Sequence, residues 1–213
     1  MTTTNMRCWP SALVLFSCFV GFCLPEARAT EALPAPIEFA WSPSGKHAAF
    51  TAEEHRQNKT VCPTELQELD LDAMTLRRLL HARPGSGPQD DLSCFYELKY
   101  SADGGFIYFV TPGWATSGAI HALDRRTGKV NFIIDGAPYL VIGTGPLMGM
   151  LLVMRRKYPD DVNQGPYEEI DLVDPKTGTS SQLPENLHQV VNEATDLGSL
   201  QMLFKAQAGW VTW

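Results

Sequence analysis

Phe39-Ala40-Trp41-Ser42-Pro43-Ser44-Gly45-Lys46-His47-Ala48-Ala49-Phe50 and Leu98-Lys99-Tyr100-Ser101-Ala102-Asp103-Gly104-Gly105-Phe106-Ile107-Tyr108-Phe109 are two versions of one phrase. An alternating apolar run meets a polar turn and then resumes. Alternation with a period of two marks a half-buried strand. In the middle, serine offers a side-chain oxygen to the backbone and glycine can take a positive φ. Each phrase therefore predicts a β-hairpin. A degenerate third copy runs through Tyr139–Gly145 and Gly149–Val153, and a fourth through Val190–Gly198 and Leu200–Phe204.

A second phrase lies downstream of each hairpin, an aspartate followed three places later by threonine. It reads Asp72-Ala73-Met74-Thr75, Asp124-Arg125-Arg126-Thr127-Gly128 and Asp174-Pro175-Lys176-Thr177-Gly178, so the aspartates stand 52 and 50 residues apart. Strand-like runs end at each aspartate (Leu66–Leu71, Ala119–Leu123, Glu168–Val173) and begin after each threonine. The phrase predicts a second hairpin turn, with the aspartate bonding to backbone N–H groups ahead of it. Two hairpins per unit make a four-stranded antiparallel sheet, repeated about every 50 residues.

The first phrase resembles the W-S-P-D-G-K repeat of the TolB-type, WD-like β-propellers, with Ser44 for the usual aspartate and Tyr100 and Ala102 for Trp and Pro. The resemblance spans Phe39 to Phe204 and implies an all-β fold, antiparallel four-stranded blades in a partial or small β-propeller. Blades are expected at 38–82, 94–136 and 138–184, with a partial one at 188–213. Another antiparallel sandwich or meander is the rival architecture. The last blade is expected to lack its second hairpin. With Trp210 and Trp213 at that edge, the expectation is a homodimer, a completing partner chain, or packing of this end onto the first blade.

Ahead of the repeats, Arg7 precedes an apolar run from Ala12 to Leu24, and Ala27-Arg28-Ala29 follows. That order predicts a signal peptide over 1–29, cleavage after Ala29, and a short linker over 30–37 ahead of the domain at 38–213. The apolar run is too short for a stable transmembrane anchor, which needs roughly 20 residues. A periplasmic or secreted chain follows. Cys8, Cys18 and Cys23 would leave with the signal; Cys62 and Cys94 would remain. An even pair in an exported chain favours a disulfide over a metal site or a nucleophile. Both cysteines close loops that a propeller places on one rim.

The chain of 213 residues is 44% hydrophobic and 19% charged, enough apolar surface for a packed core. Its 17 basic residues against 24 acidic ones give −7, with no long basic cluster, which argues against a nucleic-acid partner. No G-x-S-x-G elbow, phosphate loop or H-x-x-x-H spacing is present, so no cofactor or metal is expected. The long polar segments Glu53–Thr64, Thr111–Ser117, Arg155–Pro166 and His81–Ser93 are expected to share one side of the sheets, where binding residues gather. His55, Trp114 and Tyr158, like Trp210, leave the second strand at matching places. With Arg56, Arg155 and Lys157 they form the expected contacts of an exported, non-catalytic module that recognises a protein or envelope component. The alternatives are a hydrolase or lyase of peptide or sugar using Asp160, Asp161 and Glu168, and a structural subunit completed by a second chain.

Overall fold

The computed structural model of the chain describes residues 36–52, 62–115, 117–161, 163, 165–185 and 187–188. Its strands fall into three four-stranded antiparallel sheets, each ordered as in the chain. The first holds β1 (Glu38–Trp41), β2 (His47–Ala52), β3 (Glu65–Asp70) and β4 (Thr75–His81). In the second are β5 (Tyr96–Tyr100), β6 (Phe106–Trp114), β7 (Ser117–Asp124) and β8 (Val130–Asp135). The third contains β9 (Tyr139–Val141), β10 (Leu151–Lys157), β11 (Tyr167–Val173) and β12 (Ser180–Ser181). These are three blades of a partial β-propeller. The signal region, most of the linker, the fourth-blade region with Trp210 and Trp213, and His55 and Arg56 lie outside the described residues.

Both full copies of the first phrase close the same turn. Ser42 and Ser101 each donate their N–H across the turn, to the carbonyls of His47 (2.9 Å) and Phe106 (3.0 Å). Their hydroxyls accept the N–H groups of those same residues at 3.0 and 2.9 Å. Gly45 and Gly104 sit at φ 69° and 71°, a conformation a side chain disfavours.

The second turns correct the reading in one respect. Asp124 Oδ1 accepts the N–H groups of Arg126 (2.8 Å) and Thr127 (3.0 Å), and Asp174 Oδ1 that of Lys176 (2.9 Å). In the first blade the residue doing this is Asp70, whose Oδ1 accepts from Asp72 and Ala73, both at 2.9 Å. Asp72 lies inside the turn. Met74, at φ 51°, stands where Gly128 and Gly178 stand at 72° and 71°. The threonine match at Thr75 had drawn the register two residues too far along.

Thr111–Ser117 is the other correction. Instead of a long loop, β6 and β7 stay paired from Thr111↔Ala119 out to Trp114↔Ser117, with an irregularity after Pro112. Gly118 permits this, because a Cβ there would meet Val110 Cγ1 at 2.4 Å.

The blades pack face to face. Ala49 and Leu66 of the first meet Leu98, Tyr100, Ile107, Phe109 and Leu123 of the second, with Leu92 and Phe95 of the connecting segment closing the cluster. Tyr108, Val110, Ile120 and Ala122 on the second blade's other face meet Tyr139, Val141, Leu151 and Val153 of the third. Leu183 and Leu187 cover the third blade's far side. On the first blade's far side Phe39 and Trp41 remain exposed, edge to face at 6.1 Å.

Polar ties reinforce each seam. Glu68, only 5% exposed, accepts from Arg125 Nε (2.6 Å), the Tyr100 hydroxyl (2.9 Å) and Arg77 (3.1 Å). Arg125 also donates to the Gly104 carbonyl at 2.6 Å. On the innermost strands, Glu97 forms a bulge at φ 53°. Its N–H goes to the Glu38 carboxylate of the first blade at 2.8 Å, and its carbonyl accepts the Tyr139 hydroxyl of the third at 2.7 Å.

Candidate functional site

Antiparallel order places the first and third connections of every blade on one side, the short-turn side. The second connections and the links between blades fall on the other, the loop side. Of the expected contact residues, Trp114, Arg155, Lys157 and Tyr158 lie on the loop side, at or just past the ends of β6 and β10. Phe109↔His121 in one blade corresponds to Val153↔Asp171 in the next. Trp114 and Tyr158 each lie five residues further along the chain, but the irregularity after Pro112 sets Trp114, opposite Ser117, level with Lys157, opposite Tyr167. Both side chains are exposed, 46% for Trp114 and 67% for Tyr158. Trp114 rests edge-on against Phe132, with ring centroids 6.5 Å apart.

Arg155 and Lys157 lie near the end of β10, just ahead of Tyr158. Arg155 donates to the Asp135 carboxylate (2.6 Å) and carbonyl (3.1 Å), and to Asp171 (2.9 Å). It therefore ties β10 to the end of β8. Although burial pulls the other way, the hydrogen bonds and charges of Asp135 and Asp171 leave its pKa raised. Lys157 shares Asp171 at 2.8 Å and approaches Glu169 at 3.6 Å. Both cations are thus balanced by acids from two strands, β8 and β11.

Cys62 and Cys94 are disulfide-bonded, with Cα atoms 4.9 Å apart. The bond joins the segment entering β3 to the segment entering β5, on the loop side as expected. Asp160, Asp161 and Glu168 are exposed. Glu168 lines a cavity of about 280 Å³ with Met154, Ile170 and His188, which neither Asp160 nor Asp161 lines. Among the described residues no three His, Cys, Asp or Glu side chains are grouped to hold a metal ion.

Two features escaped the sequence reading. His121 is fully buried at the middle of β7, stacked on Phe109 at 5.3 Å and bonded through Nε2 to Thr111 Oγ1 at 3.0 Å. Burial lowers its pKa to about 4 against a small opposing pull from Asp91, so the ring is neutral. Glu97 and Lys99 form the other feature. Burial raises the carboxyl's pKa, with Lys99 opposing and Glu38 adding. It lowers the ammonium's, against Glu97 and Glu38. Lys99 Nζ lies 5.7 Å from the centre of the Tyr139 ring. The alternation Tyr96-Glu97-Leu98-Lys99-Tyr100 reads as a solvated polar face; the third blade covers that face.

No family model matches the chain, and no curated protein sequence does. Its fold is similar to several solved structures. TolB from Acinetobacter baumannii is 19% identical at a TM-score of 0.43, covering 67% of this chain and 31% of that one. The β-propeller domain of the Trilobed protease from Pyrococcus furiosus is 14% identical at 0.47, covering 70% and 43%. Oligogalacturonate lyase from Vibrio parahaemolyticus is 11% identical at 0.39, covering 65% and 33%. The chain spans less than half the length of each. By its own sheets, the described part of the chain is three four-stranded antiparallel blades of a partial β-propeller.

Proposed function

We propose that the chain is a non-catalytic binding module of an oxidising, extracytoplasmic compartment, and that it recognises a protein there through its loop side. The observation that carries this reading is the pair of exposed rings on neighbouring blades, Trp114 at the end of β6 and Tyr158 just past the end of β10. Large, stiff, amphipathic side chains give much contact area for little lost rotamer freedom, which is why such residues anchor interfaces. Strand ends hold them, and the Arg155–Asp171 network supports the rigid surface behind. The disulfide fits the compartment, since such bonds persist where thiols are not kept reduced.

The test is a pull-down from the chain's own envelope fraction with the full protein, a Trp114→Ala/Tyr158→Ala double variant and a Lys46→Ala control on the short-turn side. Proteins retained by the parent and the control should be lost from the double variant. An identical set retained by all three would refute the loop-side reading.

A further inference from the structure

The two seams between blades use equivalent positions and fill them differently. At the first seam Glu68, Tyr100 and Arg125 interlock on the short-turn side. Register matches Glu68 with Ala122, since Ala49↔Glu68 corresponds to Tyr108↔Ala122. Tyr100↔Ile107 likewise corresponds to Val141↔Leu151. Arg125 follows its turn aspartate as Pro175 follows Asp174. Each replacement is smaller and none carries a charge or a hydroxyl. The second seam is tied instead at its loop-side end, by Arg155 to Asp135.

The missing volume is a cavity of about 530 Å³ on the short-turn side, between the second and third blades. That lies within the roughly 300–1,000 Å³ of small-molecule sites. Phe106, Tyr108 and Ala122 make an apolar floor; Asp103, Asn131 and Lys176 stand among the polar lining. Asp103 comes from the second blade's turn and Lys176 from the third's, so opposite charges face the cavity from its two walls.

The polar groups are held ready. Asp103 Oδ1 accepts from the Ser101 hydroxyl (2.6 Å) and the Gly105 N–H (2.9 Å), which keep the carboxyl below its ordinary pKa and charged. Its Oδ2 bonds to no other described residue, and the Lys176 ammonium forms no ion pair among them. Tyr108 is only 4% exposed, and its hydroxyl makes no hydrogen bond among the described residues. Burial, with the charges of Asp103 and Asp174, pushes its pKa well up, so the hydroxyl stays protonated and can donate to a ligand in the cavity.

We propose that this groove binds a small zwitterion with an aromatic or large aliphatic body, an amino acid or dipeptide, placing its ammonium on Asp103 and its carboxylate on Lys176. The side chain lies on the Phe106 and Tyr108 floor, and the Tyr108 hydroxyl donates to a ligand oxygen. A purely apolar ligand would leave both charges and the hydroxyl unmet. A polyanion would find one cation and a facing carboxylate.

Titration calorimetry on the full, oxidised chain tests this with L-phenylalanine, phenylalanylglycine, phenethylamine and 3-phenylpropanoate. The amino acid or the dipeptide should bind saturably, and the tighter of the two gives the span between the charges. Each single-charge analogue should bind about tenfold more weakly or worse, the loss expected for one charge-assisted hydrogen bond. Lys176→Gln should weaken the zwitterion by a similar factor while leaving phenethylamine unchanged. Asp103→Asn, which keeps the Oδ1 acceptor for Ser101 and Gly105, should do the same with 3-phenylpropanoate unchanged. Lys46→Gln should alter nothing. No saturable heat from either zwitterion at its solubility limit would overturn the proposal, as would zwitterion affinities unchanged in both charge variants.

Discussion

Arg125→Met removes the cation at the first seam while keeping most of the side chain's length. Glu68 would then hold a nearly buried carboxylate with only the Tyr100 hydroxyl and Arg77, and Arg77 is itself 55% exposed. Breaking a fully buried pair costs about 3–5 kcal/mol. The two surviving donors reduce that here to roughly 2–3 kcal/mol, the worth of a hydrogen bond to a charged group. For a chain of this size the melting temperature should fall by about 4–12 °C. The pH dependence supplies a sharper check. Burial raises the Glu68 pKa, but hydrogen bonds from Arg125, Tyr100 and Arg77 and the Arg125 charge outweigh it, so the folded value lies below 4.5. A depressed carboxyl stabilises the fold above its unfolded pKa and loses that contribution as pH falls through the folded value. Urea titrations at pH 7, 4.5 and 3 should show the parent losing more stability than the variant over the lowest interval. A variant as stable as the parent at pH 7, or one with the same loss below pH 4.5, would show that the tie does not bind the blades.

Three further outcomes follow from local geometry. Reducing Cys62–Cys94, or replacing both by serine, opens a closure spanning 32 positions and should cost ~3–4 kcal/mol on the chain-entropy relation, read as a lower urea midpoint. His121 should make stability fall between pH 6.5 and 4: its folded pKa lies at about 4, so the unfolded chain takes up the proton first. The loss is up to about 3 kcal/mol. His121→Gln, the residue found at the matching place as Gln67, should flatten that interval, and an unchanged slope would assign it elsewhere. Met74→Gly should stabilise the first blade by about 1 kcal/mol, because it relieves a positive φ at an exposed turn. A thermal melt that shows destabilisation would contradict this account of the turn.

The hairpins were legible because their causes are local. Ser42 and Ser101 bond within five residues of themselves, and Gly45 and Gly104 announce the positive φ directly. The one slip has an equally local cause. Acids stand at both 70 and 72, and only the N–H geometry of the turn chooses Asp70. Cys62 and Cys94 were legible from strand order, since both precede strands on one side. Arg155 was readable as a charge on the rim, but its partner Asp135 lies 20 residues away on another blade. Nothing in the sequence near Arg155 marks that pairing. The groove was harder still. It exists because Ala122, Val141 and Pro175 replace three interlocking side chains, a comparison that requires the register of all three sheets.

Glu97 has a practical value that goes beyond holding the blades. One peptide-linked residue sends its N–H to the first blade and its carbonyl to the third. Its two backbone groups are therefore separate spectroscopic probes of separate seams. Hydrogen exchange at the Glu97 amide reports opening against Glu38, while the carbonyl carbon shift reports loss of the Tyr139 hydroxyl. Labelling this single residue would reveal which blade detaches first as the protein is heated.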